Sequence, residues 1–399
     1  MKILQLCHKP PVPAVDGGCI AMNNTTQGLL AAGHKVKILT IFTHKHGFFP
    51  ENMPDDYLNA TEIEGVYVDT KLNVVDAYAS FMTADSYNVN RFFSTDFDIK
   101  LTRILKKEAF DVVHLESLFM TPYMGTIRRL SRSIIVLRSH NLEFVIWEKM
   151  AKGTGNVFKK MYLSYLSRKL KHYELKLLNE VSGVATISDE DNKRFQSLGI
   201  QRPMQTIPFG LELSDYFHYT NDQPELALFH IGAMDWIPNQ EGILWFMREV
   251  WAKVHQAHPQ LKLYLAGRSM PEEFTRMNIK NVEVLGEVDD AKVFMNQKAI
   301  MIVPLLSAGG IRVKIIEGLA LGKAIISTSI GAEGIDCEDG KQLLIADTSG
   351  EWIKAIDRLV QDAALVRQLG TSGRQHALQY DLKNTTEALV NFYKQLKHS

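Results

Sequence analysis

The sequence predicts an α/β protein made of two doubly wound domains, and three observations carry that expectation. Short apolar runs of strand length alternate with helix-length segments from end to end, the pattern of parallel sheets with helical crossovers. The chain has 399 residues, too many for one ordinary core, so two domains of about 150–200 residues are expected. One polar, turn-like stretch, SDYFHYTNDQPE after Leu213, interrupts the series near its middle and reads as the connection between the domains.

The elements follow in order. MKILQLCH is a strand that runs into the Gly17–Gly18 turn and a helix closed by Gly33. KVKILTIF is the next strand, and FDVVHLES, SIIVLRSHN, GVATIS and MQTIPFG complete the first series. The second series is LALFHIGA, LKLYLAG, VEVLGE, AIMIVPL, AIISTS and LLIAD, with helix-like segments such as NQEGILWFMREVWAKVHQ after the strands. No internal repeat is visible, although both halves share one rhythm. The tail NTTEALVNFYKQLKHS is a last helix, with Leu389, Phe392, Tyr393 and Leu396 at helical spacing. That stripe needs a surface, and periodicity alone allows either domain. The division taken is 1–212, 213–380 and a terminal helix at 381–399 expected to pack back toward the first domain. A ligand is expected at the carboxyl ends of the strands.

The segment PLLSAGGIRVKIIEGLALGKAIISTSI, Pro304 to Ile330, is chemically the most informative. A strand enters a turn holding Gly309, Gly310 and Ile311, and a helix begins at once. Such a helix start offers unpaired N–H groups and a positive dipole end, which suit a phosphate. Arg312 and Lys314 add cations for a diphosphate. Being two residues apart they cannot share a helical face, so Arg312 is expected in the turn itself. Glu317 lies between Ile316 and Leu319, where a carboxylate is unfavourable without a partner; two ribose hydroxyls would supply one. Any βαβ unit has turn glycines and helix charges, so this motif alone does not decide the matter.

Composition narrows the classes. The chain has 45 basic and 45 acidic residues, and the zero net charge argues against a general nucleic-acid binder. Its three cysteines, Cys7, Cys19 and Cys337, have no metal-ligand spacing and suggest reduced thiols in the cytoplasm. There is no secretory signal pattern and no uninterrupted apolar span, so any membrane contact would be peripheral, at the inner face of the cell membrane. FKKMYLSYLSRKLKHYELKLL, which mixes Lys159, Lys160, Arg168, Lys169 and Lys171 with aromatic and aliphatic residues, raises that contact, against the alternative of a packed helix with a solvated basic face.

With these residues in view, the chain resembles the retaining GT-B glycosyltransferases of family 4, over essentially its whole length. The markers run in order: DGG at Asp16–Gly18, SHNLE at Ser139–Glu143, TIS at Thr186–Ser188 and IPFGLELSDYF at Ile207–Phe217. IGAMDWIPNQEG at Ile231–Gly242, AGR at Ala266–Arg268, GEVDD at Gly286–Asp290 and the cradle with Glu317 follow. The resemblance implies two Rossmann-like domains with the active-site cleft between them, the second holding a nucleotide-diphosphate sugar and the first an acceptor. Glu317 matches the second acid of the family's E-x7-E pattern, the ribose ligand. The first acid would fall at Gly309 and is absent, which bears on the transferred sugar. Many members carry an Arg and a Lys in the segment equivalent to IGAMDWIPNQEG, where this chain has neither; Arg312 and Lys314 look like the replacement.

By the same resemblance Gly17 and Gly18 face the donor phosphate, and His140 is the cleft histidine. Arg268 is a further phosphate candidate, and Glu287 and Val288 pass beside the base. Gly17 and Gly18 could equally form an ordinary βα turn, and Asp235 and Asn239 could equally cap a helix. The D-x-D strings Asp96–Asp98 and Asp189–Asp191 fit helix starts better than metal ligands. No metal and no cofactor is expected, only the donor substrate and a saccharide or lipid-linked acceptor. The expected chemistry is sugar transfer with retention, aided by leaving-group stabilisation. Two alternatives stay open, a nucleotide-sugar epimerase and a non-catalytic subunit that partners a transferase.

Overall fold

The computed structural model describes residues 1–70, 87–219, 221, 223–307 and 312–398. The chain forms two compact units, Met1–Gly210 with Leu382–Ser399, and Leu211–Asp381.

The first unit is built on β1 (Lys2–Cys7), β2 (Lys35–Phe42), β3 (Glu64–Tyr67), β4 (Val112–Glu116), β5 (Ile134–Ser139), β6 (Gly183–Thr186) and β7 (Met204–Thr206). Among the described residues they form one parallel sheet in the order β3-β2-β1-β4-β5-β6-β7. The order reverses between β1 and β4, so the connections leaving their carboxyl ends run to opposite faces of the sheet, the place where ligands bind in such folds. Both faces are covered. Leu4, Leu6, Leu115 and Leu137 meet Phe97, Leu101 and Phe195 on one side. On the other, Ile3, Ile38, Val112 and Val136 meet Met22 and Leu29 of the helix Gly17–Ala31. Leu389, Phe392, Tyr393 and Leu396 of the terminal helix Leu382–His398 lie in that second cluster. Register sets Gln5 opposite His114, and Glu116 opposite both Cys7 and Arg138, which makes a polar row within the apolar layer.

The second unit contains β8 (Glu225–Ile231), β9 (Leu263–Ala266), β10 (Val282–Gly286), β11 (Lys298–Val303), β12 (Ala324–Ser327) and β13 (Leu344–Ile345). Among the described residues these form a parallel sheet in the order β10-β9-β8-β11-β12-β13, reversing between β8 and β11. Phe246, Trp251, Ile300, Ile326 and Trp352 fill its core.

The polar stretch after Leu213 is not a bare connector. Its first residues form the helix Ser214–Phe217, and Leu213 and Tyr216 are buried within the second unit. Two apolar side chains three apart, hidden in a polar composition, were enough to anchor it. The D-x-D acids lie in first helical turns, but the caps are serines: Ser188 accepts from Asp191 N, while Ser94 occupies the other cap position without a side-chain bond.

Candidate functional site

In the first unit, the ends of β1, β4 and β5 gather a histidine-rich cluster around one acid. Glu116 is fully buried; Gln5 Nε2 donates to its Oε1 at 2.9 Å, and His114 Nε2 lies 3.2 Å from the same oxygen. His140, in the first residue beyond β5, places Nε2 2.8 Å from Oε2. Burial pushes the Glu116 carboxyl up, but attraction to His114 and hydrogen bonds from both histidines outweigh it and hold the group well below the usual range. Tyr393 Oη lies 2.6 Å from His114 Nδ1, so the terminal helix joins this network. His8 Nδ1 lies 2.9 Å from the Glu116 carbonyl, and burial with Lys9 and His140 nearby lowers its pKa to about 3.

Beside it, Asp16 opens the helix Gly17–Ala31 by accepting from Cys19 N at 2.9 Å. Lys9 Nζ donates to both Asp16 oxygens, at 2.7 and 2.8 Å. Gly17 and Gly18 are the first two residues of that helix, and a Cβ on Gly18 would lie 2.8 Å from Lys9 Nζ. The glycines therefore sit at a helix N-terminus, with a cation close by.

In the second unit the residues after β8, β9 and β11 converge. Gly309, Gly310 and Ile311, the glycine turn of the cradle, lie outside the described residues. The helix Val313–Ala320 that follows is described, with Arg312 at its N-cap. Lys314 Nζ donates to Asn239 Oδ1 at 2.9 Å, and Asn239 Nδ2 donates to the Ala233 carbonyl at 2.8 Å. Asn239 and Asp235 do not cap: Trp236 holds the N-cap of the helix Ile237–Phe246, Asn239 lies inside that helix, and Asp235 is exposed. Burial, then repulsion from Arg312, lower Lys314 to a pKa of about 7. His230 on β8 is buried with Nδ1 3.1 Å from the Ile302 carbonyl, and its Nε2 has no partner among the described residues. Burial and Lys314 hold it neutral.

Glu317 Oε1 accepts from Tyr216 Oη at 2.8 Å. Burial raises its pKa, opposed by that bond and by Lys292 and Lys314. Neither Lys314 nor Glu317 is in an ion pair among the described residues. Arg312 differs from the expectation of a side chain turned to phosphate. It is buried, Nε donates to the Gly331 carbonyl at 2.9 Å and Nη2 to the Glu333 carbonyl at 2.6 Å. Only Nη1 is left without a partner among the described residues. Carbonyls at the end of the short helix Ser329–Ala332 capture it because a buried guanidinium needs acceptors wherever it finds them.

Arg268 follows β9, half-buried, and its guanidinium has no hydrogen bond or ion pair among the described residues. The glycine of AGR is sterically required: a Cβ at Gly267 would lie 1.7 Å from the Gly232 carbonyl oxygen. Glu287 is exposed and Val288 half-buried in the loop after β10. Thus Asn239, Arg312, Lys314 and Glu317 share one neighbourhood, while Asp235 and Glu287 are exposed. No group of three or more His, Cys, Asp or Glu side chains able to hold a metal ion occurs among the described residues.

A family model described as Glycosyltransferase Family 4 matches residues 16–215, half of the chain, and one described as Glycosyl transferases group 1 matches residues 225–362. The chain belongs to glycosyltransferase family 4. An uncharacterized 44.6 kDa protein in the cps region of Klebsiella pneumoniae is 23% identical over 366 residues, 89% of this chain and 90% of that protein. Sucrose-phosphate synthase from Thermosynechococcus elongatus superposes with a TM-score of 0.71 at 14% identity, over 100% of both chains. Anabaena HepE in complex with UDP gives 0.69 at 13% identity, over 99% of this chain and 100% of that one. Likeness at such identities establishes the fold, two Rossmann-like domains of the GT-B type.

Four neighbours carry little signal in the sequence. Glu116 and His114 stood in view as the polar pair inside FDVVHLES, a pattern that marks a buried polar row. Tyr216 lay in the stretch read as a connector. Lys9, the first residue of KPP, carries no signal beyond its charge.

Proposed function

We propose that this glycosyltransferase moves a hexose-type sugar from a nucleotide-diphosphate donor to a hydroxyl of a saccharide or lipid-linked acceptor, with retention at the anomeric carbon, in cell-surface polysaccharide or glycoconjugate synthesis. The observation that carries the donor half is the pair Lys314 and Glu317. A cation and an acid lie in one buried neighbourhood, each hydrogen-bonded only to a neutral side chain among the described residues. Partly buried charges with no direct ion pair are costly, and a diphosphate at Lys314 with a ribose diol at Glu317 would satisfy both. HepE, solved with UDP and with UDP-glucose, supports a nucleotide-sugar donor. The Klebsiella pneumoniae relative from a cps region supports the polysaccharide setting. Retention rests on the resemblance of the ordered markers.

In this reading Lys314, Arg268 and the free Nη1 of Arg312 stabilise the departing diphosphate, aided by the helix N-terminus at Val313. The leaving phosphate oxygen takes the acceptor proton. His140, held by Glu116, orients the acceptor or the transferred sugar, and Gly17 and Gly18 approach the donor through backbone N–H groups. No metal takes part.

The test is a thermal-shift screen against nucleotide sugars, followed by turnover with the stabilising donor and determination of product configuration by NMR. A new glycoside of unchanged anomeric configuration is expected. Donor binding without turnover by the chain alone would favour a non-catalytic subunit, and an isomerised free donor would favour an epimerase.

A further inference from the structure

The helices Glu143–Gly153 and Val157–Leu178 of the first unit form an antiparallel hairpin. Its base is firmly tied. Glu174, fully buried, accepts from Glu143 N and Phe144 N at 3.2 and 3.1 Å, and Ser167 Oγ donates to the Phe144 carbonyl at 3.0 Å. Lys171 Nζ lies 5.1 Å from the centre of the Phe144 ring. Leu163, Leu166, Leu170, Leu177 and Leu178 are buried, so this part of the basic run is a packed helix.

The tip is different. Phe158 is 84% exposed, and Val157 and Met161 are each 66% exposed. Met150 and Tyr162 are exposed too. Isolated exposed apolar residues are ordinary, but five at one hairpin end are not. Lys149, Lys152, Lys159 and Lys160 are interleaved with them, all exposed, and residues 149–162 contain no Asp or Glu. Apolar side chains interleaved with cations, with no acid from 149 to 162, complement one kind of surface: anionic headgroups over hydrocarbon.

We infer that the tip of this hairpin, centred on Phe158, Met161, Lys159 and Lys160, docks on an anionic lipid bilayer. The lysines draw the tip to the surface, and Phe158, Val157 and Met161 enter the headgroup boundary. The base bonds hold the hairpin stiff, so the tip approaches without an ordering cost. This contact stands apart from the donor reading, since it uses none of the residues assigned there.

The full chain is sedimented with vesicles of phosphatidylcholine alone and of phosphatidylcholine with phosphatidylglycerol, at low salt and at about 0.5 M salt. Binding to the anionic vesicles at low salt, lost at high salt and on neutral vesicles, is expected. Lys159→Glu with Lys160→Glu should lower partitioning by about tenfold or more. Phe158→Ser with Met161→Ser should also release the protein. All four side chains are exposed, so melting temperature should not change, and that is measured alongside. Failure of the wild-type chain to bind anionic vesicles, or equal binding by both variants, overturns the inference. Retention on immobilised polyglutamate without vesicle binding also overturns it, in favour of an acidic protein partner.

Discussion

Lys314→Met separates a ligand-binding lysine from a structural one. In the folded chain Lys314 is half-buried, its ammonium donates to Asn239 Oδ1, and its poorly solvated surroundings lower its pKa from 10.5 to about 7. That depression corresponds to roughly 4–5 kcal/mol by which folding disfavours the charged form. The penalty is fully present below pH 7, shrinks as pH rises from about 7 towards 10.5, and is absent above. Methionine has nearly the same length and carries no charge. Against the relief stand about 1 kcal/mol for the lost hydrogen bond and about 1–2 kcal/mol for leaving Asn239 Oδ1 without a donor. The net at pH 7 is a stabilisation of about 1–3 kcal/mol, or a rise in melting temperature of about 2–12 °C for a domain of this size. Nucleoside diphosphates should bind far more weakly, while nucleosides are little affected. Binding of a diphosphate should recharge the wild-type lysine, so its affinity should fall with pH above 7, by at most about tenfold per pH unit. Calorimetry with each diphosphate and its nucleoside, beside thermal melts at pH 7 and 9.5, reads all of this. A lowered melting temperature with unchanged diphosphate affinity would refute the reasoning and make Lys314 a structural tie to Asn239.

Other expectations follow from the same geometry. Glu317→Gln keeps an acceptor for Tyr216 but removes the charge, so nucleotide affinity should fall by about 1.5–3 kcal/mol with the melting temperature nearly unchanged; a loss of fold stability alone would mark it as only a partner of Tyr216. Because burial raises the Glu317 pKa, nucleotide affinity should also decline as pH is lowered through that raised value. Arg312→Ala should lower both stability and diphosphate affinity, since Nε and Nη2 tie Gly331 and Glu333 and only Nη1 is free for phosphate; equal weakening of diphosphate and nucleoside, read by calorimetry, would remove it from the phosphate site. Glu116 has a depressed pKa, so its stabilising effect is present above the ordinary carboxylate range and is lost as pH falls through the depressed value; acid titration of Glu116→Gln should lack that loss, and at pH 7 the variant should be about 3–5 kcal/mol less stable. Turnover in chelator should equal that in magnesium, and rescue of a dead enzyme by manganese alone would contradict a metal-free site.

Residue order alone carries the class and the succession of the elements. Strands such as KVKILTIF and FDVVHLES are legible because a strand buried on both faces is a continuous apolar run, a signal local to a few residues. The edge strand β3, EGVY, is hard to read: three half-buried residues and one exposed one at a sheet edge carry little pattern. Helix Val313–Ala320 and its Lys314 and Glu317 were likewise readable, since turn glycines, charges and apolar spacing all lie within one segment. Packing settles who meets whom. Lys314 joins Asn239 across 75 positions, Glu317 joins Tyr216 across 101, and Tyr393 joins His114 across 279. Arg312 found carbonyls at 331 and 333 where the sequence suggested phosphate, and the basic run at 157–178 divided into a packed helix and an exposed tip. Each of these is a competition among partners brought close by sheet register and helix packing. Local residue order does not encode that proximity, because a charge or hydroxyl bonds whichever group the fold places within about 3 Å.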